Sequence, residues 1–364
     1  MQPTKQTLPI GGLLVDVYSH PTSISSSTNP IHALFFLHGR FDSAQDQYIV
    51  DTIKVIFDES YGSGVGERKK DLIVIAFCVG EKDHRNHGTR LVNQQRNFAW
   101  SKEPAENNDQ HAVDMYTIQT GTAQDVSFLI DHIPSSLYPS GERTIVEWGM
   151  GGVSLGGHST WIALSREPRL TLGIPIIGCP DYMKLISRRA QSSNIPLSPP
   201  YFPTSFMTYV ERHDPAQLAY RAKDASNPFL GKKVLVLSGK EDKLVPWVAS
   251  AEFVEGLEVG EEGVKRVVVE EGAGHECTSG MRREAGLFVR EWLSATADEL
   301  RRPSRNFADN DEGRKRSSSI SGVVLAKGPQ QHWSGALWQD RTGVAGVLAR
   351  WQEPWLVVGS PRVS

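Results

Sequence analysis

Short apolar runs bounded by turn residues recur along the chain. LLVDVY (13–18), ALFFLHG (33–39), DLIVIAFC (71–78), the residues leading up to Ser154, LGIPIIGCP (172–180), KVLVLSG (233–239) and VKRVVVEEG (264–272) have the length of strands. They are apolar at consecutive rather than alternate positions, which suits strands covered on both faces, as in a parallel sheet. Helix-like stretches separate them: QDQYIVDTIKVIFDES, TAQDVSFLIDHI, GHSTWIALSRE, VASAEFVEGL and REAGLFVREWLSATADELRR. Such alternation predicts an α/β fold with a mostly parallel central sheet and helices on both of its faces.

Two segments break the rhythm. Residues 181–230, with the proline- and aromatic-rich SPPYFPTSFMTYVERHDPAQ, interrupt the alternation between two strands and read as an inserted cap or lid. Beyond residue 296 the pattern fails: RRPSRNFADNDEGRKRSSSIS is charged and serine-rich, and the tryptophan-containing end has no clear period. The expected organisation is one domain over residues 1–296 and a low-order tail over 297–364.

Composition narrows the class further. With 39% hydrophobic and 22% charged residues and a net charge of -3, the chain has the balance of a soluble globular protein and no basic surplus for nucleic acid. Cys78, Cys179 and Cys277 form no CxxC pair and no zinc spacing, as in a reducing compartment. The N-terminal MQPTKQTLPIGGLLVDVYSH is too short and polar in its apolar run for a signal core or membrane span. A cytoplasmic protein is expected, with the nucleus as the alternative.

The chemistry centres on GGVSLGG (151–157), one serine among glycines. Gly152-Val153-Ser154-Leu155-Gly156 satisfies G-x-S-x-G, between the strand-like TIVEW and the helix-like HSTWIAL. Such a sharp strand-to-helix turn lifts the serine into strained geometry and brings positions 152 and 156 too close for side chains. Gly157 then lets the helix approach the sheet, and the helix N-terminus favours developing negative charge. The bland alternative is a glycine-rich helix cap with Ser154 as capping residue.

A serine hydroxyl needs a base, and the base needs an orienting acid. His275, in GAGHE after a strand, stands at the strand's C-terminal end, where α/β sheets gather catalytic groups. His213 falls in the insertion, and His158 on the helix after the serine, facing away from its hydroxyl. Asp242, Glu241 and Asp181 are candidates for the acid. Asp242 leads because SGKEDKLVP carries G-x-x-D-x-x-V-P in full. Oxyanion donors are expected from the backbone N–H of Leu155 and from that of Arg40, after His38-Gly39. The Arg40 side chain is either exposed or turned to an anionic substrate group.

HGR, GVSLGG, GKEDKLVP and GAGHE, in this order, resemble the α/β-hydrolase superfamily over residues 10–295. DHRNHGTRLVNQQRNFAW and HAVDMYTIQTGTAQDVSFLIDHIP make the chain most similar to fungal hydrolases distantly akin to dienelactone hydrolases and prolyl-oligopeptidase-like esterases. The resemblance implies Ser154 as nucleophile, Asp242 as acid and His275 as base. Dienelactone hydrolases carry cysteine at the nucleophile position, so Ser154 argues against that activity.

Two further motifs carry less. DHRNHG (83–88) holds His84 and His87 but no obvious third metal ligand, and reads as a loop at the pocket. GSGVG (62–66) lacks the lysine of a phosphate loop. The expected activity is hydrolysis of a small-molecule carboxylic ester, with thioester, amide and acyl transfer using the same machinery and no cofactor or metal. A non-catalytic binding module on the same scaffold is the alternative from another class. PPYFPTSF, Trp100, Trp161 and Trp247 suggest an apolar or aromatic acyl group, or else ordinary packing.

Overall fold

The computed structural model describes residues 2–22, 27–62, 70–76, 84–87, 90–294 and 323–324. The expected tail, apart from Val323 and Val324, lies outside the described residues, as do most of GSGVG and the end of the last expected helix. All described residues fall in one compact unit, Met1–Gly328.

Among the described residues, eight strands form the body of the sheet: β1 (Thr4–Ile10), β2 (Leu13–Ser19), β3 (Ile31–Leu37), β4 (Asp71–Ala76), β5 (Ile145–Val153), β6 (Leu170–Ile176), β7 (Lys233–Gly239) and β8 (Val264–Glu270). Their order is β1-β2-β4-β3-β5-β6-β7-β8, with the two-residue pair Val323–Val324 beside β8. β2 runs antiparallel to both of its neighbours, and from β4 to β8 every pairing is parallel. This mixed sheet is that of the α/β-hydrolase fold. β1 has no counterpart among the expected strands, because only Ile10 of its seven residues is buried and it carries no apolar run. Gly11 and Gly12, at φ of 57° and 84°, make the two-residue turn that folds it onto β2.

The helices are α1 (Gln47–Tyr61), α2 (His111–Leu137), α3 (Leu155–Arg166), α4 (Tyr182–Ser192), α5 (Thr204–His213), α6 (Trp247–Gly256) and α7 (Ser279–Ser294). β3 shows why its run is continuous: Ala33, Phe35 and Leu37 enter one core with residues of α2 and α3, while Leu34 and Phe36 enter the other with α1 and α7. Alternate side chains of a strand point to opposite faces, so a sheet covered on both sides must be apolar throughout. α2 is 27 residues long and begins eleven residues before the stretch expected from TAQDVSFLIDHI. Gly121 and the neighbouring threonines obscure an apolar face that Ala112, Met115 and Ile118 continue.

Residues 181–230 hold α4 and α5 with ordered turns between and after them. Tyr182, Ile186, Phe206 and Val210 join the core on the α2–α3 face, so this insertion is anchored to the domain by its own apolar side chains. Trp161 belongs to that core too: it is fully buried, with its ring edge-on to Phe253 at 5.3 Å and to Phe229 at 6.3 Å. Of the three tryptophans considered for an acyl pocket, Trp161 therefore packs in the interior. No helix among the described residues is long and apolar enough to cross a membrane.

Removing a fully buried indole leaves a cavity that close-packed neighbours fill only in part. Trp161→Ala should destabilise the fold by about 3–5 kcal/mol, read from urea unfolding. A variant of unchanged stability with altered substrate preference would put Trp161 in a pocket instead.

Candidate active site

β3, β5, β7 and β8 all end at one edge of the sheet, as parallel strands must. The turns after them carry His38-Gly39-Arg40, Ser154, Asp242 and His275. Ser154 lies between the last residue of β5 and the first of α3, at φ 52° and ψ -106°, a conformation that costs a residue with a side chain about 1–3 kcal/mol. Backbone bonds hold it there: the Ser154 N–H donates to the Ile176 carbonyl at 2.9 Å, and the His158 N–H to the Ser154 carbonyl at 2.8 Å. The glycines are required by contact. A Cβ on Gly152 would sit 2.7 Å from the Gly156 carbonyl carbon, and one on Gly156 would sit 2.7 Å from the Leu37 oxygen. One on Gly157 would lie 2.6 Å from the Ile176 oxygen, where α3 crosses β6.

Ser154 Oγ is 2.9 Å from His275 Nε2, and His275 Nδ1 is 2.8 Å from Asp242 Oδ2. A carboxylate only accepts, so Nδ1 carries the ring proton in the neutral imidazole and Nε2 is left to accept from the serine. The Asp242 side chain is fully buried and that of His275 is 24% exposed. Burial opposes ionisation of Asp242. The bonds from His275 and from the Val245 and Leu244 N–H groups (2.8 and 2.9 Å to Oδ1) outweigh it and hold the carboxyl below its ordinary range.

The other candidates are placed elsewhere. Asp181 caps α4, its Oδ1 accepting from the Lys184 N–H at 2.8 Å, and Glu241 is exposed. His213 ends α5 with its ring 4.4 Å from that of Tyr209. His158 Nδ1 accepts from the buried Cys179 N–H at 2.8 Å, a fully protein-internal role.

The loop after β3 is braced from several sides. Gly156 N–H donates to the His38 carbonyl at 3.1 Å, and the buried His84 donates to the same oxygen through Nε2 at 3.0 Å. Nδ1 of His84 then accepts from Thr122 Oγ1 at 3.0 Å. Gly39 N–H donates to Tyr48 Oη at 2.9 Å, and Tyr48 donates on to Asp42 Oδ2 at 2.8 Å. Gly39 N–H is thus engaged, whereas among the described residues the N–H groups of Leu155 and Arg40 have no protein acceptor. The Arg40 side chain is not fully exposed: it turns inward, donating to the Asn97 carbonyl at 3.2 Å. His84 escapes sequence reading because its contacts span 38 and 46 residues, and Tyr48 and Asp42 because no motif marks them. DHRNHG alone marks His84's neighbourhood.

No protein-family model matches the chain, and no curated protein sequence does. Among solved structures, the chain is similar to ferulic acid-bound Est1E from Butyrivibrio proteoclasticus, with 14% identity, 79% of this chain and 97% of that one covered, and a TM-score of 0.48. The esterase Pf2001 from Pyrococcus furiosus is 16% identical over 80% of this chain and 93% of that one, with a TM-score of 0.44. A cold-adapted esterase from an Arctic intertidal metagenomic library is 13% identical over 80% and 94%, with a TM-score of 0.45.

Burial keeps several histidines around this edge neutral. It lowers His158 to about 4, with the Cys179 backbone opposing the shift. Burial also pushes His84 and His111 well down. Between about pH 6.5 and pH 4 the unfolded chain binds a proton at position 158 that the folded one refuses, so stability falls as pH falls through that window. The stability advantage of wild type over His158→Gln should shrink by about 2 kcal/mol from pH 7 to pH 5. Parallel urea-unfolding profiles for the two proteins would contradict this.

Proposed function

We propose that the protein is a serine hydrolase that cleaves a small-molecule carboxylic ester through an acyl-enzyme. The observation that carries this reading is the unbroken hydrogen-bonded series Ser154–His275–Asp242 on three turns at one sheet edge. Ser154 Oγ attacks the carbonyl carbon as its proton passes to His275 Nε2. The carbonyl π electrons move onto oxygen, which the Leu155 and Arg40 N–H groups stabilise. Collapse of the tetrahedral intermediate expels the alcohol, which takes the proton from Nε2. Water, deprotonated by the same nitrogen, then attacks the acyl carbon, and Ser154 leaves with its proton restored. Asp242 keeps Nδ1 protonated throughout and stabilises the transient imidazolium. Its buried, multiply bonded carboxylate is suited to that task.

The reading needs no metal or cofactor for any step. Among the described residues the N–H groups of Leu155 and Arg40 have no protein acceptor, which leaves both able to donate to an oxyanion.

Ser154→Ala should abolish hydrolysis of p-nitrophenyl acetate with the circular dichroism spectrum unchanged. Asp242→Asn should leave the fold in place but favour the wrong imidazole tautomer. The loss in kcat should be on the order of ten-thousandfold, as when the acid of a serine protease triad is changed in the same way. Asp181→Asn, the same chemical change at a helix cap, should reduce activity only slightly. Crippled Asp181→Asn beside an active Asp242→Asn would reassign the acid. Wild-type activity in Ser154→Ala would remove the nucleophile from this turn.

A further inference from the structure

Two guanidinium groups lie inside the same edge of the sheet with no ion-pair partner among the described residues. Arg40, on the loop after β3, donates to the Asn97 carbonyl at 3.2 Å and touches Met115 Sδ at 3.7 Å. Arg189, on α4, donates to His111 Nε2 at 3.2 Å and to the Leu244 carbonyl at 3.2 Å. The two are connected through adjacent residues: Asn97 receives Arg40, while the Phe98 carbonyl accepts from Nδ1 of the same His111 at 2.9 Å. Each also joins the proposed catalytic machinery. Arg40 follows Gly39 in the braced loop, and Leu244, bound by Arg189, donates its N–H to Asp242.

Neither arginine has a carboxylate oxygen within ion-pairing distance among the described residues. By contrast Arg85, Arg90, Arg96, Arg143 and Arg169 each do. Burial first, and then the charge of Arg189, lower Arg40 to about 10. Burial likewise lowers Arg189, and His111 is kept neutral by burial and by both arginines. Two desolvated guanidinium groups near one another are costly in a folded protein, since like charges repel and the Asp242 charge that acts on Arg189 forms no ion pair with it. An anion that enters from solvent removes that cost, and paired guanidinium forks match the planar oxygens of a carboxylate.

We propose that the substrate bears a carboxylate, which Arg40 and Arg189 hold beside the scissile ester. The proposal rests on the ester-hydrolase reading above and adds the substrate class to it. The carboxylate can belong to the acyl or to the alcohol portion, and two substrate pairs separate these sources: monomethyl glutarate against methyl pentanoate, and 3-acetoxypropanoate against propyl acetate. In one pair the anionic ester should have kcat/KM at least about tenfold above its neutral counterpart, carried by a lower KM, as for one charge-assisted bidentate contact. In Arg189→Gln that ratio should fall towards one. Should Arg189→Gln fail to fold, inhibition of p-nitrophenyl acetate hydrolysis decides on the unaltered protein: glutarate should compete and glutaramide should not. Ratios near one in both pairs, a ratio that survives Arg189→Gln, or equal inhibition by glutarate and glutaramide overturns the proposal while leaving the ester-hydrolase reading intact. Failure to cleave p-nitrophenyl acetate and all four esters overturns both.

Discussion

Ser154 occupies a backbone conformation that a residue with a side chain avoids, and the neighbouring architecture is arranged around keeping it there. The chain leaves β5 in the middle of the sheet and enters α3 with no intervening loop. The turn is possible only because positions 152, 156 and 157 have no Cβ to meet the backbone of the turn, of β3 and of β6. The strain, about 1–3 kcal/mol, is offset by bonds to Ile176 and within α3, and by the packing of β5 between β3 and β6. A rigid turn fixes Oγ at the sheet edge, so a histidine on a separate loop can meet it at hydrogen-bond distance.

The electrostatics follow the same division between held and unheld groups. Asp242 is buried yet kept ionised by three directed bonds, whereas the buried histidines His84, His111 and His158 are kept neutral and serve as hydrogen-bonding struts. His84 and Tyr48 show the value of such struts: each fixes one group of the loop after β3, the His38 carbonyl and the Gly39 N–H. Arg40 and Arg189 are the exceptions, charged groups whose hydrogen-bond partners among the described residues are neutral.

Much of this was legible in the sequence for definite reasons. Strands buried on both faces announce themselves by unbroken apolar runs, and KVLVLSG coincides with β7 residue for residue. The G-x-S-x-G turn is readable because sterics demand its glycines at fixed spacing. His275 and Asp242 could be selected because each follows a strand that ends at the same edge, and the structure bonds His275 to Ser154 and Asp242 to His275. β1 was not legible, since an exposed edge strand has no apolar signature, nor was the start of α2 behind its threonines and Gly121. The partners of the β3 loop were hidden for another reason: His84, Tyr48 and Asn97 meet it only through tertiary contact. No motif marks Arg189, which its bonds to His111 and the Leu244 carbonyl turn inward.

The central claim is that the strained turn presents Ser154 as an activated nucleophile. Reaction of the folded protein with a fluorophosphonate, followed by peptide mass spectrometry, tests it most directly. The account predicts one adduct per chain, on the peptide containing Ser154, and none when the protein is first unfolded in urea. An unlabelled folded protein, or an adduct on a different residue, would contradict it.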